Sequence, residues 1–116
     1  MIFVTEHPVV IVLCTASNEK EATTIAQALV EREEAACVNI VPMIRSVYRW
    51  KGKIVNETEQ LLVIKTIQPA LADVSRTVKE LHSYELPEIL ALPVSEGDAS
   101  ALSWIGASVR MGRENH

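Results

Sequence analysis

The segment spanning residues 36–66 limits the possible folds of this chain more than any other part of the sequence. It consists of two arms rich in β-branched and aromatic residues, and the dipeptide Lys51-Gly52 between them suits a two-residue hairpin turn. At about 3.3 Å per residue, each arm measures roughly 45 to 50 Å as a strand, whereas common strands measure about 17 to 20 Å. A domain of 116 residues is too small to cover such strands, so the sequence predicts a hairpin that extends beyond its own domain.

A turn at Lys51-Gly52 also determines which residues face each other across the two arms. The predicted pairs are Trp50 with Lys53, Tyr48 with Val55, Ser46 with Glu57 and Ile44 with Glu59. Pro42 is expected to shift the register of the residues that precede it.

The outer part of this hairpin is expected to contact another molecule, because unpaired strand edges invite pairing with a second chain. Tyr48 and Trp50 share a face there with Glu57 and Glu59, and rings with a polar group are favoured at interfaces. The economical partner is a copy of the same chain. We therefore predict a homo-oligomer, a dimer or a trimer, with Tyr48 and Trp50 in its interface.

The length and composition indicate a single globular domain. The polar residues 110–116 are expected to fray, and the ordered core is expected over about residues 8–109, the extent of the family resemblance described below. Eleven basic residues stand against 15 acidic ones, and the net charge of −4 argues against a general nucleic-acid binder. The apolar run at residues 8–14 is too short to span a bilayer, and no basic region of a secretory signal precedes it. Cys14 and Cys37 lack zinc-type spacing, which favours reduced thiols and a cytoplasmic protein.

The remaining elements follow from hydrophobic periodicity. Residues 9–13 form a β-branched run typical of a central, buried strand. A helix begins after the capping residues Ser17 and Asn18, and Asn18 with Glu21 resembles a capping box. Pro69 suits the first turn of a second helix, and the apolar run at residues 89–94 predicts a last strand that precedes a terminal helix. The order β-α-β-β-α-β is the ferredoxin-like plan, an α+β fold whose helices cover one face of an antiparallel sheet. The other face is then expected to need a further cover, which a dimer or trimer could supply.

Several separate segments, in order along the chain, match the pattern of one known family. They are Ala-Ala-Cys-Val-Asn-Ile-Val-Pro (35–42), Tyr-Arg-Trp-Lys-Gly-Lys-Ile (48–54), Leu-Val-Ile-Lys-Thr (62–66), Pro-Glu-Ile (87–89), Pro93-Val94 with Gly97-Asp98, and Ser-Trp-Ile (103–105). These segments resemble the CutA family of divalent-cation tolerance proteins. The resemblance implies a homotrimer similar to PII signalling proteins, in which hairpins wrap neighbouring subunits, and a role in tolerance of copper and other divalent cations. The chain departs from the family pattern at Ser83, where a proline is usual, at Ala101, where a tyrosine is usual, at Val55, where a Glu or Gln is frequent, and near Glu57, where an Asp is usual.

The resemblance also implies a candidate copper site at Cys14 and His82, with Glu88 as a weaker candidate ligand. A thiolate and an imidazole are suitable copper ligands, the thiolate especially for Cu(I). Each residue also has a structural interpretation, since buried cysteines are common core residues and His82 follows a helix whose negative end it complements. Copper or another divalent cation is expected to bind weakly and is not expected to be required for folding.

A second candidate site is an inter-subunit pocket. Tyr84 and Glu85 follow His82 closely, and Glu59 and Lys65 are the corresponding residues of the hairpin. The alternative for Glu59 and Lys65 is a structural ion pair. Tyr48, Trp50 and Trp104 are predicted to anchor the trimer interface rather than to stack on a ligand.

The leading hypothesis from the sequence is a non-catalytic homotrimer involved in divalent-cation tolerance, whose partners are copies of itself and divalent metal ions, not nucleic acid or membranes. No glycine-rich phosphate loop, nucleophile elbow or zinc-protease motif is present in the sequence. The alternatives are a PII-like trimer that binds a small molecule in its inter-subunit clefts and, third, a small enzyme on the same fold.

Overall fold

A computed structural model describes residues 7–114, and residues 1–6 and 115–116 lie outside the described residues. The expectation of no secretory signal rests partly on residues 1–6. The elements are β1 (Val9–Ala16), α1 (Glu19–Glu31), β2 (Cys37–Trp50), β3 (Lys53–Ile67), a 3-10 turn (Gln68–Ala70), α2 (Leu71–Leu81), β4 (Ile89–Pro93), α3 (Ala99–Ser108) and α4 (Arg110–Glu114). The strands form one antiparallel sheet in the order β2-β3-β1-β4. This confirms the predicted ferredoxin-like α+β fold. The short helix α4 continues the chain past the predicted core limit of residue 109.

Strand β1 lies inside the sheet, as its β-branched run predicted, because it pairs with β3 on one side and β4 on the other. Its alternate side chains Val10, Val12 and Cys14 pack with Ile25 and Leu29 of α1 in the main core. The apolar stripe of α2 contributes to the same cluster, so both helices cover one face of the sheet. The edge position of β4 agrees with Pro93 at its end, since proline cannot donate to a further strand.

The hairpin has the predicted register. Trp50 pairs with Lys53 at the tip, and the pairing continues without a shift to Ile44 and Glu59. A bulge between Val41 and Ile44 then shifts the register, as expected from Pro42. At the tip, Lys51 (φ 50°) and Gly52 (φ 80°) both have positive φ angles, which is the requirement of a type I′ turn.

The outer half of the hairpin extends beyond the sheet. Strand β1 reaches only as far as Gln60 on β3, so residues 53–59 of β3 pair with β2 alone. The molecule consequently measures 55 × 25 × 22 Å, and its radius of gyration of 15.1 Å exceeds the roughly 13 Å of a compact 100-residue domain.

The face of the sheet opposite α1 and α2 is apolar and only partly covered. Helix α3 covers one end of it, where Ile105 and Val109 pack on Val9 and Ile67. Farther along this face, large side chains remain at the surface of the chain, and Leu90 and Leu92 of β4 are about half exposed. The prediction that this face needs a further cover is consistent with these exposures.

Candidate functional site

A cleft of about 790 Å³ lies between the outer hairpin and the loop of residues 82–88 that connects α2 to β4. Its lining residues come from the end of β1, from both strands of the hairpin and from this loop: Thr15, Ser46, Val47, Tyr48, Arg49, Trp50, Glu59, Ser83, Tyr84, Glu85, Leu86 and Glu88. The volume lies within the range of small-molecule sites. The cleft therefore brings together most of the residues predicted for a pocket.

His82 fixes the start of this loop. Its imidazole is completely buried, and Nε2 lies 2.6 Å from the carbonyl oxygen of Thr15 at the end of β1. The backbone N–H of Tyr84 donates to Nδ1 over 3.0 Å. Both ring nitrogens therefore have hydrogen-bond partners inside the chain.

Glu21 fastens the same loop from the first turn of α1. Its carboxylate accepts hydrogen bonds from the backbone N–H and the hydroxyl of Ser17 and from the backbone N–H of Ser83. Although burial opposes ionisation, these hydrogen bonds lower the pKa of Glu21 to about 2. One of the two hydrogen bonds of the predicted capping box is formed, because the Asn18 side chain accepts from the Glu21 N–H. The Glu21 carboxylate, however, accepts from Ser17 and the loop instead of from the N–H of the N-cap residue.

Tyr84 connects the loop to the hairpin. Its hydroxyl donates to Glu59 Oε2 over 2.5 Å and lies 3.3 Å from Glu57 Oε1, which also accepts from the hydroxyl of Tyr48. Burial and the hydrogen bond to Glu59 raise the pKa of Tyr84, and the hydrogen bond to Glu57 raises that of Tyr48 to about 12. Both phenols are therefore hydrogen-bond donors, not anions, at neutral pH.

Cys14 belongs to the core beside this site. It is 2% exposed, and its Sγ is a long hydrogen-bond donor, 3.6 Å from the Thr15 carbonyl oxygen to which His82 is also bonded. Burial raises the pKa of the thiol to about 12, and the negative charges of Glu21, Glu88 and Glu59 add to the effect. In the metal-free chain the raised pKa favours the thiol form, and a metal ion would have to displace its proton in order to bind the sulfur.

Cys14 and His82 are therefore not arranged as a ready copper site. A copper ion would have to displace the thiol proton, whose loss burial opposes, and one of the hydrogen bonds of the imidazole. Within residues 7–114, no three His, Cys, Asp or Glu side chains are grouped so that they can hold a metal ion. Glu88 lines the cleft and its charge acts on Cys14, but it does not complete a ligand set.

The other predicted site residues divide between the cleft and the rest of the surface. Glu85 and Glu59 line the cleft, and Glu59 is only 4% exposed. Lys65 lies farther along β3, paired with Ile11 and Cys37, and does not meet Glu59 within one chain. The predicted interface residues Tyr48 and Trp50 line the cleft, whereas Trp104 is on α3 and is 55% exposed.

Sequence reasoning did not assign Glu21, Thr15 or Ser83 to the site. The capping pattern Asn18-x-x-Glu21 singled out the glutamate as a helix-terminal residue, but its contact with a loop more than 60 residues away has no local signal. The Thr15 carbonyl is a backbone group and leaves no mark in the sequence.

The sequence model described as "CutA1 divalent ion tolerance protein" matches residues 10–108, which is most of the chain. The "Divalent-cation tolerance protein CutA" of Thermus thermophilus is 50% identical over 95 residues, with 82% of this chain and 92% of that protein aligned. The chain belongs to the CutA1 family.

Other relatives of this CutA1-family chain are longer than it is. The "Protein CutA homolog" of Xenopus laevis is 44% identical over 92 residues, which are 79% of this chain but 61% of that protein. The chain likewise spans 57% of "Protein CutA, chloroplastic" from Arabidopsis thaliana and 51% of the human "Protein CutA".

Solved CutA structures have the same fold. The crystal structure of CutA1 from Oryza sativa superposes with a TM-score of 0.89 at 39% identity, covering 92% of this chain and 98% of that one. The Thermus thermophilus structure gives 0.82 at 48% identity, with coverages of 84% and 94%. Among the helices of residues 7–114, none has the length and apolar content needed to cross a bilayer.

Proposed function

We propose that the chain acts without catalysis as a homotrimer that contributes to tolerance of divalent cations. The role in tolerance is taken from the descriptions of the family and of the Thermus relative. The trimer is supported by the outer hairpin, which extends beyond the sheet with Met43, Val47 and Ile54 all more than 60% exposed. A lone chain would leave this surface in water, whereas neighbouring copies would bury it.

The apolar sheet face gives the same proposal a second surface. Leu90 and Leu92 lie on it, while Trp50 is 41% exposed on the hairpin. Two separated patches on one chain suit a cyclic assembly, because each copy presents one patch to one neighbour and the other patch to the next. Three copies is the number that the CutA resemblance implies.

Native mass spectrometry of the purified chain tests the assembly. A trimer is expected for the unmodified chain, and Trp50→Glu is expected to weaken it by placing a charge in the interface. Lys79→Glu is the matched control, because Lys79 is exposed on α2 on the helical side of the sheet. An unchanged assembly for Trp50→Glu at low micromolar concentration would contradict the proposed interface.

Growth of a bacterial strain lacking its own CutA-family protein tests the role in tolerance. Expression of the chain is expected to improve growth in medium with elevated copper, and Trp50→Glu is expected to lose that benefit. Equal growth with and without the chain, at matched expression, would refute the tolerance role while leaving the assembly result intact.

A second candidate function is favoured by the cleft itself. A volume of about 790 Å³ bounded by Tyr48, Trp50 and Tyr84 suits a small molecule with an apolar portion, as in a PII-like signalling trimer. A thermal-shift screen of nucleotides, amino acids and polyamines tests this function. Binding that Tyr84→Phe weakens and Lys79→Glu leaves unchanged supports it, whereas no stabilisation by any compound contradicts it.

Copper and other divalent cations are proposed as the ions to which the protein responds. Direct capture by Cys14, His82 and Glu88 has the weaker support, because burial opposes the loss of the thiol proton and both imidazole nitrogens are hydrogen-bonded within the chain. A cytoplasmic location is proposed from the two free cysteines. The structure from Archaeoglobus fulgidus carries the description "Periplasmic divalent cation tolerance protein CutA", so cell fractionation with antibody detection is the direct test.

A further inference from the structure

The hydrogen bonds around His82 determine which of its ring nitrogens carries the proton. The Tyr84 N–H can only donate, so Nδ1 accepts and carries no proton. The Thr15 carbonyl can only accept, so Nε2 carries the proton. The two partners therefore assign the ring proton to Nε2 and hold the fully buried imidazole in a single tautomer, with Glu21 Oε1 4.0 Å from Nδ1.

This tautomer leaves no nitrogen lone pair for a metal ion. A metal at Nδ1 must displace the Tyr84 N–H, and a metal at Nε2 must first move the proton to Nδ1, against that same donor. Either route costs a buried hydrogen bond in a site from which water is excluded. A bond from the metal to neighbouring Cys14 cannot offset the loss of that hydrogen bond as long as the sulfur is a thiol.

The same two hydrogen bonds place the loop relative to the sheet. His82 ends α2 in an extended conformation (φ −87°, ψ 142°) and joins the Tyr84 backbone to the last residues of β1. The rings of His82 and Tyr84 are in contact, with centroids 4.6 Å apart and planes tilted by 55°. The position and the direction of the Tyr84 ring therefore both depend on the imidazole.

The phenol of Tyr84 then meets the hairpin at Glu59, 25 residues away in the sequence. A continuous series of hydrogen bonds thus runs from the Thr15 carbonyl through the imidazole and the Tyr84 backbone to the loop wall of the cleft. The Tyr84 hydroxyl completes the series on the opposite wall.

We propose that His82 is a positioning residue of the cleft and not a metal ligand: its imidazole joins the Thr15 carbonyl to the Tyr84 N–H and so holds the Tyr84 phenol against Glu59. This inference goes beyond the proposed function, since it concerns how the cleft wall is held and not the number of subunits. A failed trimer test leaves it standing, and a failed test of His82 leaves the trimer standing.

The first test is nitrogen-15 NMR of the His82 ring in the full-length, metal-free protein. The expected result is a protonated Nε2 and an unprotonated Nδ1, and neither signal moves when one equivalent of Cu(I) or Zn(II) is added under anaerobic conditions. The opposite tautomer, or a shift of either ring nitrogen at one equivalent of metal that Cys14→Ser abolishes, would overturn the proposal. This measurement needs no substitution at His82.

The second test compares His82→Phe with Val78→Ala by amide hydrogen exchange. Phenylalanine keeps a ring beside Tyr84 but removes both nitrogens, and we expect the Tyr84 amide to exchange roughly three- to tenfold faster relative to the amides of α1 and β1. Val78→Ala creates a cavity in the same helix and is expected to accelerate globally exchanging amides without singling out Tyr84. Equal relative exchange of the Tyr84 amide in the two variants would refute the positioning role, and if His82→Phe does not fold, the tautomer measurement decides.

Discussion

Replacement of Glu21 by glutamine removes the acceptor that joins the start of α1 to the cleft loop. The carboxylate accepts from the N–H and hydroxyl of Ser17 through Oε2 and from the Ser83 N–H through Oε1. A glutamine side chain has one carbonyl oxygen and one NH₂ group, so it cannot accept on both sides. Either Ser17, whose contact is part-buried, or Ser83, whose contact is exposed, then faces a donor, and its N–H loses the acceptor.

The expected loss of stability follows from two independent arguments. Hydrogen bonds to charged groups are worth about 1.5 to 3 kcal/mol, and an unsatisfied buried donor costs about 1 to 3 kcal/mol. The pKa of Glu21 falls from 4.5 to about 2 on folding, which corresponds to at most about 3 kcal/mol at neutral pH. Because the side chain is 10% exposed, partial screening reduces this figure, and we expect Glu21→Gln to lower the free energy of unfolding by about 1 to 3 kcal/mol.

The pH dependence separates this effect from a general loss of packing. The folded-state pKa is depressed, so the stabilisation is complete above pH 4.5 and is lost as the pH falls toward 2. Urea unfolding at a fixed protomer concentration, measured from pH 7 to pH 2, should show the two proteins converging in stability at acid pH. Glu19→Gln is the control, because Glu19 is exposed in the same helical turn and should cost only about 0.3 to 1 kcal/mol. A constant difference between Glu21→Gln and the unmodified chain across this pH range would refute the reasoning.

Two further substitutions test the hairpin and its contact with the loop. Tyr84→Phe leaves the buried Glu59 carboxylate without its hydroxyl donor and should lower the free energy of unfolding by about 1 to 3 kcal/mol. Tyr48→Phe removes a hydroxyl at an exposed position and should have a clearly smaller effect, so equal effects of the two substitutions in urea unfolding would contradict the assigned burial. In Gly52→Ala the added Cβ has no atom within 4 Å, but the residue must keep a φ of 80°, and this strain alone should lower the free energy of unfolding by about 1 to 2 kcal/mol. An unchanged thermal midpoint would argue against a type I′ turn.

The hairpin was predictable from the sequence because strand register depends on local information. The turn at Lys51-Gly52 fixes the pairing of Trp50 with Lys53, and every later pair follows by counting until Pro42 interrupts it. The central position of β1 was predictable for a similar reason, since a continuous β-branched run has only one suitable environment in a sheet covered by helices. Both predictions needed only residues that are close in sequence.

The candidate site was predictable only in part, because its contacts join distant segments. Tyr84, Glu85 and Glu88 share one loop, and Glu59 faces them because the strand period of two places it on the correct side of β3. Lys65 and Glu59 are an even number of residues apart on β3, so their side chains lie on the same face, and both are predicted from the sequence to line the pocket. Six residues of extended strand nevertheless separate them by about 20 Å. Parity therefore identifies the face of a sheet but not the position along it.

The suitability of Cys14 and His82 for copper could not be judged from residue type. To bind a metal, a cysteine must lose its proton and a histidine must offer a ring nitrogen. Here burial and the nearby carboxylates raise the pKa of the Cys14 thiol and so oppose the loss of its proton, and backbone groups of β1 and the loop are hydrogen-bonded to both imidazole nitrogens. Those backbone groups are present in every sequence, so only the folded geometry shows which ones reach the ring.

Ser83→Pro tests how far this chain has departed from the family pattern in its loop. Proline has no N–H, so a chain with the usual proline cannot make the hydrogen bond that Ser83 donates to Glu21. His82 already has the extended backbone that a residue before proline requires, so no strain is expected at His82. Proline also restricts the unfolded chain, which should raise the free energy of unfolding by about 0.4 to 1 kcal/mol. Loss of a charged hydrogen bond worth about 1.5 to 3 kcal/mol outweighs that gain, and we expect a net loss of about 1 to 2 kcal/mol in urea unfolding at pH 7. Ser83→Ala keeps the N–H and should change the free energy of unfolding by less than half as much as Ser83→Pro. If Ser83→Pro is instead more stable than Ser83→Ala, the Glu21 contact contributes less than the geometry implies.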